Sequence, residues 1–271
     1  MQLFPEQKGF PRTVYFKRGA VTRLGEEGYG FGPRGLLLHS RSMRRSGAVE
    51  KVLESAPQGL EIVTWEHEGG EPTLDAVEAA RSRAREIAPS WIGALGGGSV
   101  LDLGKACAGL YHSYANVVEH HAGLPLETPG LPFLAAPATA GTGSEATGIS
   151  VLLDSATGWK SPVRSPEMLP VAAILDPDLL ATCPREAIAD SGMDALTQAV
   201  ESLFSTGATR FTNMLAGEGC RLVAAALPRV HAEPGGESAE DLLLGSFLTG
   251  MAFSSSRLGV VHGLAHPLGG Y

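Results

Sequence analysis

Short apolar runs alternate with helical patterns along the first part of the chain. Buried strands are predicted at residues 35–39, 60–65, 91–95, 131–136 and 171–175. A helix is predicted between the second and third of these strands, with Thr73 as its N-cap and its end near Glu86. Continuous apolar strands separated by helices are typical of a parallel sheet that is covered on both faces. We therefore expect an α/β fold in this part of the chain.

The pattern changes after Asp176 and Pro177, where strand signals nearly vanish. Helices are predicted at residues 185–204, 212–227 and 239–253. We therefore predict an α/β domain over residues 1–177 and an all-α domain over residues 178–271. A cleft between two such domains is a common place for a small-molecule site.

The charge balance and the cysteines narrow the class of protein. With 21 Lys and Arg against 29 Asp and Glu, the net charge is −8, which argues against a nucleic-acid-binding protein. No apolar run approaches the roughly 20 residues of a membrane-spanning helix, and the N-terminus lacks the pattern of a signal peptide. The 3 cysteines are scattered, as in free thiols of a reducing compartment. We expect a cytoplasmic protein with no nucleic-acid or membrane partner.

Glycine is in excess, with 35 of 271 residues, and one glycine-rich turn follows the predicted strand 91–95. The turn Gly96-Gly97-Gly98-Ser99 leads into a predicted helix over residues 100–110, which carries Asp102 and Lys105 in its first turns. Backbone N–H groups of glycines can approach an anion closely, and a helix N-terminus adds a favourable potential. The turn is therefore a candidate phosphate-binding site. An ordinary tight turn is the alternative. The Rossmann glycine fingerprint is absent, so this turn does not indicate a Rossmann fold.

A second glycine-rich loop, residues 137–145, follows the predicted strand 131–136. Its sequence, Pro-Ala-Thr-Ala-Gly-Thr-Gly-Ser-Glu, is rich in small and hydroxyl side chains. Two such loops at the carboxyl ends of sheet strands suit a ligand with two phosphates, so we predict a nucleotide site.

Four stretches together resemble the iron-containing (group III) alcohol dehydrogenases, in the order of that family. They are residues 96–105, 137–145, 190–196 and 261–269. The wider superfamily includes glycerol dehydrogenases, maleylacetate reductases and dehydroquinate synthases. The resemblance implies a dehydroquinate synthase-like α/β domain that binds a dinucleotide, followed by a helical domain for metal and substrate. Family members continue well past the length of this chain, so by the same comparison the helical domain is expected to be incomplete.

The resemblance also implies a set of cofactor-binding residues. They are Gly97, Gly98 and Ser99 at the pyrophosphate, Thr139 and Thr142 at the adenosine and ribose portion, and Lys160 near the nicotinamide ribose. Asp102, beside the first turn, is included with them. For Lys160 a solvated surface position is the alternative interpretation.

The residue that follows the first apolar strand bears on the choice between NADP and NAD. NAD users of the family often carry an aspartate there, and this chain has Ser40. Without that carboxylate a 2′-phosphate is not repelled, and Arg44 or Arg45 could bind it. We therefore predict NADP, with NAD as the alternative. The alternative interpretation of both arginines is a solvated helix face.

Two pairs of residues have the spacing of one helix face. Asp194 and Gln198 are four residues apart, as are His262 and His266, so each pair could point into one cleft. A carboxylate and imidazoles on facing helices suit a divalent Fe or Zn ion with an open position for substrate. By spacing alone, a core or surface position is the more common explanation of either pair.

The resemblance implies that Asp194, the position of Gln198, His262 and a further histidine beyond residue 271 hold the metal. The family has histidine where this chain has Gln198, and an amide oxygen is a weaker ligand for Fe²⁺ or Zn²⁺ than imidazole. His266 is expected to act in substrate binding or as a proton relay.

Three interpretations follow from these residues. The first is a metal-assisted alcohol dehydrogenase or aldehyde reductase. The second is a metal-free reductase like the maleylacetate reductases, in which His262 and His266 stabilise the carbonyl oxygen. The third is a non-catalytic or incomplete nucleotide-binding protein. We favour the first, with hydride transfer between NAD(P)H and a small aldehyde or ketone. A homodimer is implied only by resemblance.

Overall fold

The computed structural model describes residues 9–269, apart from the side chains of His266 and Pro267. The strands in this range are β1 (Thr13–Phe16), β2 (Arg34–Ser40), β3 (Glu61–His67), β4 (Trp91–Gly96), β5 (Phe133–Pro137), β6 (Ile149–Asp154), β7 (Trp159–Arg164) and β8 (Ala172–Leu175). The α-helices are α1 (Arg23–Tyr29), α2 (Arg41–Arg45), α3 (Ala48–Glu54), α4 (Leu74–Ile87), α5 (Gly98–Gly109), α6 (Val117–His121), α7 (Arg185–Phe204), α8 (Arg210–Ala232), α9 (Ala239–Ser256) and α10 (Val260–Leu268).

Within residues 9–269, six strands form one parallel sheet in the order β1-β8-β5-β4-β2-β3. All five predicted strands lie in this sheet, and the α/β fold class is confirmed. Every residue of β4 is buried, as expected of a central strand with helices on both faces. The predicted α4 is also present, and Thr73 caps it by accepting a hydrogen bond of 3.1 Å from the Ala76 N–H.

The sheet buries a separate core on each face. Alternate residues of a strand point to opposite faces, so Leu36 and Leu38 pack towards α4 and α5, whereas Leu37 packs towards α1 and α3. All three leucines are fully buried, and each such burial contributes about 1.5–3 kcal/mol. This two-sided packing holds the carboxyl ends of β4 and β5, from which the glycine-rich loops leave.

Two pieces of the sheet architecture were not predicted. The edge strand β1 has only 4 residues, and its burial alternates. The hairpin of β6 and β7 lies apart as an antiparallel pair, and its second strand, Trp-Lys-Ser-Pro-Val-Arg, has no apolar run. Short or polar strands carry little periodic signal, so they depend on the tertiary structure for their definition.

The helical region packs α7, α8 and α9 together around a core that includes Ala195, Val223 and Leu243. The three predicted helices are confirmed, and α8 and α9 are longer than predicted. α8 continues past Pro228 because Val230, two residues further, is fully buried in this core. No helix in the described range is long and apolar enough to cross a membrane.

Candidate functional site

The first glycine-rich turn connects β4 to the N-terminus of α5. Gly97 is the N-cap of that helix, and no side chain caps it. The N–H groups of a helix's first turn have no partner within the helix, so an uncapped start leaves them for an anion. A Cβ atom on Gly98 would lie 2.6 Å from Cγ2 of Thr142, so the two glycine-rich loops are in direct contact. Thr139 also lies beside Gly97.

Lys105, a residue of α5, binds the second glycine-rich loop through hydrogen bonds. The Nζ atom of this fully buried side chain donates to the carbonyl oxygen and the Oγ of Ser144, each at 2.7 Å, and to the carbonyl oxygen of Ile149 at 2.6 Å. Burial lowers the pKa of Lys105 to about 8, and the carboxylates of Asp102 and Glu145 oppose this shift.

Asp102 belongs to the same buried network. Its Oδ1 accepts a hydrogen bond of 2.5 Å from Ser144 Oγ, and its Oδ2 accepts one of 2.8 Å from the Val151 N–H. Burial raises the pKa of Asp102, and it raises the pKa of Glu145 to about 7. The structure thus ties Asp102 to the second loop and to β6. Its contact with a cofactor stays a prediction.

Arg44 and Arg45, the two arginines suggested for the 2′-phosphate, have different surroundings. Ser40 is the N-cap of α2 and accepts from the Met43 N–H at 3.3 Å. Arg44 donates to Glu50 and to Thr64, both at 2.9 Å. Arg45 instead lines a cavity of about 310 Å³, together with Arg41, Ser42, Ser46 and Thr182. The guanidinium of Arg44 is therefore committed to protein partners, whereas Arg45 faces open space.

Lys160 lies on β7 and forms an ion pair with Glu71, whose Oε1 accepts from Nζ at 2.7 Å. Its described partner is this carboxylate and no residue of the glycine-rich loops. The proximity of Lys160 to a nicotinamide ribose stays a prediction.

The structure brings together Asp194, Gln198 and His262, the described members of the predicted metal site. Nε2 of His262 lies 3.0 Å from Oδ1 of Asp194, and Nε2 of Gln198 donates to Oδ2 of Asp194 at 2.8 Å. Asp194 and Gln198 share one face of α7, and α10 carries His262 against that face. The side chain of His266, the other predicted catalytic residue, lies outside the described residues.

A fourth residue, Glu201, was missed by the sequence analysis. Its Oε1 accepts from the Val261 N–H at 2.7 Å, and its Oε2 contacts Nδ1 of His262. Glu201 is nearly buried and lies seven residues after Asp194, on the same face of α7. That spacing is the signal by which it could have been found.

These contacts test whether the site suits a cation. If His262 donates its Nδ1–H to Glu201, then Nε2 presents a lone pair to a carboxylate oxygen of Asp194, and two acceptors at 3.0 Å need a proton or a cation between them. A histidine whose other nitrogen binds a carboxylate is common at metal sites. In addition, Oε1 of Gln198 is buried without a hydrogen-bond partner. The three side chains therefore fit a metal with one weak ligand, although no group of three or more His, Cys, Asp or Glu side chains among the described residues is arranged so that these alone could hold a metal ion.

Two protein-family models together match most of the chain. The family model for iron-containing alcohol dehydrogenase matches residues 11–177, and the model for the C-terminal part of the Fe-containing alcohol dehydrogenase family matches residues 188–271. The chain belongs to the iron-containing alcohol dehydrogenase family. The resemblance of the four sequence stretches is thereby confirmed.

Two curated relatives and one solved structure illustrate the similarity. The chain is 35% identical to the probable alcohol dehydrogenase EutG of Salmonella typhimurium, over 93% of this chain and 64% of that protein. It is 33% identical to the NADPH-dependent butanol dehydrogenase of Clostridium saccharobutylicum, over 96% of this chain and 67% of the relative. An iron-containing alcohol dehydrogenase of Thermotoga maritima superposes with a TM-score of 0.88 at 28% identity, covering 96% of this chain and 72% of the other. The chain thus spans about two thirds of the length of the relatives it matches.

Proposed function

We propose that this member of the family is an NAD(P)H-dependent oxidoreductase that transfers a hydride between the cofactor and a small aldehyde, ketone or alcohol. The observation that carries the proposal is the contact between two glycine-rich loops, Gly98 against Thr142, above an uncapped helix N-terminus. Such a surface binds the two phosphates of a dinucleotide. The helical region supplies a second polar site at Asp194 and His262.

The residues of the chain divide the work as follows in this proposal. Gly97, Gly98 and Ser99 bind the pyrophosphate through backbone N–H groups. Thr139 and Thr142 line the adenosine side and Lys160 the nicotinamide side, as the family resemblance implies. Lys105 and Asp102 hold the second loop at a constant distance from the first, so the cofactor is oriented by a preorganised surface.

A divalent Fe or Zn ion would be held by Asp194, Gln198 and His262, and when bound it would polarise the carbonyl oxygen of the substrate. Glu201 orients His262 by its contact with Nδ1. His266 follows His262 by four residues on α10. We propose that it relays a proton to the product oxygen.

For the cofactor we propose NADP in preference to NAD. Ser40 stands at the N-cap of α2, where a carboxylate would repel a 2′-phosphate. The cavity beside it offers the guanidinium of Arg45, which has no hydrogen-bond or ion-pair partner within residues 9–269. Arg44 is less suited, because Glu50 and Thr64 already accept its hydrogen bonds.

The second candidate is a metal-free reductase, which the amide at position 198 favours. Metal content of the purified chain, measured alongside NADPH oxidation with short aldehydes before and after chelation, separates the candidates. Bound metal with chelator-sensitive turnover supports the metal-assisted enzyme, and turnover without metal supports the second candidate. Cofactor binding without turnover of a broad aldehyde panel would overturn both, leaving a nucleotide-binding protein. The division of the chain at residue 177 and a homodimer stay predictions.

A further inference from the structure

The short joint between α9 and α10, residues 257–259, determines the position of His262. α9 ends at Ser256, α10 begins at Val260, and His262 lies in the first turn of α10. Nε2 of His262 is 3.0 Å from Oδ1 of Asp194, which belongs to α7. A change in the path of the joint would therefore change the distance between these two side chains.

Ser256 makes the contacts that fix the start of the joint. Its fully buried Oγ lies 2.7 Å from Oγ of Ser202 and donates to the carbonyl oxygen of Arg257 at 3.0 Å. A hydroxyl has one hydrogen to donate, so Ser202 is the donor in the contact of 2.7 Å. The carbonyl oxygen of Ser256 accepts from Oγ of Ser205. Two serines at the end of α7 thus bind both the side chain and the main chain of Ser256.

The turn after α7 packs closely against the same carbonyl group. A Cβ atom on Gly207 would lie 2.5 Å from the carbonyl oxygen of Ser256, so there is no room for a side chain. The Gly207 N–H donates to Oγ of Ser205 at 3.2 Å. This hydrogen bond orients the hydroxyl of Ser205 towards Ser256.

Glu201 holds the other end of the joint. Its Oε1 accepts from the Val261 N–H at 2.7 Å, and its Oε2 contacts Nδ1 of His262. A Cβ atom on Gly259 would lie 2.8 Å from the same Oε1. Glu201 and Ser202 are adjacent on α7, so one short stretch of this helix binds both ends of the joint.

The joint needs these contacts because its first residue has a strained backbone. Arg257 has φ 68° and ψ −178°, a region used almost only by glycine. Such a conformation persists only where the surrounding structure fixes it. The Arg257 N–H donates to Phe253 at 2.9 Å, and the Arg257 carbonyl oxygen accepts from Ser256. The hydrogen bonds of Ser256 therefore hold the strained residue from the side of α9.

We propose that Ser256 is a positioning residue for His262. Its hydrogen bonds with Ser202 and Ser205 keep the joint in one conformation, so that the imidazole stays within reach of Asp194 before any ligand binds. A side chain that is held in this way loses little conformational freedom on binding. The inference rests on the proposed function in one respect, that His262 acts at the reaction site. The positioning itself is testable in the chain without metal.

The first test observes His262 by NMR in the metal-free chain, with the histidine nitrogens isotopically labelled. The N–H that faces Glu201 is identified by its loss in His262→Gln. We expect this N–H to exchange slowly with water in the wild type, and roughly 3- to 10-fold faster in Ser256→Ala and in Ser202→Ala. Ser246→Ala is the matched control and should equal the wild type. Ser246 is also buried on α9, but its Oγ has no hydrogen-bond partner among the described residues.

The second test measures the affinity for Zn²⁺ in competition with a chromophoric chelator. Ser256→Ala should raise the Kd for Zn²⁺ by roughly 3- to 10-fold, whereas Ser246→Ala should stay within about 2-fold of the wild type. Because Ser202 and Ser256 share one hydrogen bond, the double variant Ser202→Ala/Ser256→Ala should lose no more affinity than the larger of the single losses.

The two measurements separate the inference from the proposed function. A slowly exchanging N–H in the wild type that exchanges faster in Ser256→Ala supports the positioning role even if the wild type binds no Zn²⁺, in which case only the metal-assisted reaction fails. Equal exchange rates in Ser256→Ala and Ser246→Ala overturn the positioning role, and so does fast exchange in the wild type.

Ser205→Ala decides the question if circular dichroism shows that Ser256→Ala does not fold. Ser205 is only half-buried, and its loss removes the hydrogen bond to the carbonyl oxygen of Ser256. We expect faster exchange of the His262 N–H in this variant too. An exchange rate equal to that of the wild type would overturn the inference.

Discussion

Lys105, on the helix that follows the first glycine-rich turn, donates a hydrogen bond of 2.7 Å to the carbonyl oxygen of Ser144 in the second glycine-rich loop. The same ammonium group lies 3.7 Å from Asp102, and its side chain is completely buried. One buried cation therefore links the two loops that are proposed to bind the cofactor phosphates. Its positive charge also offsets the negative charge of the nearby carboxylates Asp102 and Glu145.

Lys105→Met should destabilise both the fold and the cofactor site. The change leaves Asp102 and Glu145 buried without their cation, and such unpaired buried charges cost about 3–5 kcal/mol. We expect the free energy of unfolding in urea to fall by that order, and the Kd for NADPH to rise roughly 10-fold or more as the second loop loosens. Lys51→Met, at an exposed position of α3, is the matched control. Unchanged NADPH affinity in a folded Lys105→Met chain would contradict the linking role.

Glu145 should make stability fall as the pH rises from about 5 to 7.5. Burial raises the pKa of this carboxyl from 4.5 to about 7, so the folded state binds an extra proton between these values. Its favourable contribution is complete below pH 4.5 and is lost as the pH rises through 7. Because other carboxylates titrate in the same range, the informative quantity is the difference between the wild type and Glu145→Gln. We expect that difference to change by about 2–3 kcal/mol across the window, measured by urea unfolding. A constant difference would show that Glu145 is ionised in the fold.

Gln198→His should increase the affinity for divalent metal. An imidazole is a stronger ligand for Fe²⁺ or Zn²⁺ than a neutral amide oxygen, and position 198 is already buried beside Asp194. We expect Zn²⁺ to bind at least about 10-fold more tightly in competition with a chromophoric chelator. Gln198→Ala serves as the reference with no ligand. If all three chains bind Zn²⁺ equally, the site of Asp194 and His262 does not hold the metal.

Glu201→Gln should weaken metal binding without unfolding α10. The glutamine can still accept from the Val261 N–H, so the backbone contact of 2.7 Å is kept, whereas the negative charge facing His262 Nδ1 is lost. Loss of such a partner of a metal-binding histidine typically lowers the metal affinity by roughly 10- to 100-fold. Glu218→Gln, at an exposed ion pair on α8, is the control. Zn²⁺ titration of both variants, with circular dichroism to monitor the fold, shows whether the charge of Glu201 strengthens metal binding.

Ser40→Asp should reverse the proposed cofactor preference. Aspartate is as good an N-cap as serine, so α2 should be retained, while its carboxylate repels a 2′-phosphate and accepts from a ribose hydroxyl. We expect the ratio of kcat/KM for NADPH to that for NADH to fall by roughly 100-fold. Arg45→Gln should lower kcat/KM for NADPH alone. A wild-type ratio that already favours NADH would refute the preference for NADP.

The sequence predicted most of the central sheet because buried strands and amphipathic helices leave a local pattern. Leu36, Leu37 and Leu38 all had to be apolar, since helices cover both faces. The glycine-rich turns were also visible, because only glycine permits the approach of Gly98 to Thr142. By contrast, the β6–β7 hairpin was missed, since Pro162 and Lys160 interrupt any apolar alternation.

The sequence by itself determined which strands are buried, where the helices lie and which residue types occur at the two candidate sites. Each of these depends on residues only a few positions apart. Only the tertiary structure decided that Lys105 joins the two loops and that Glu201 contacts His262. These partners are separated by 39 and 61 residues. Such contacts arise from how the sheet and helices pack, and local hydrophobic periodicity contains no record of them.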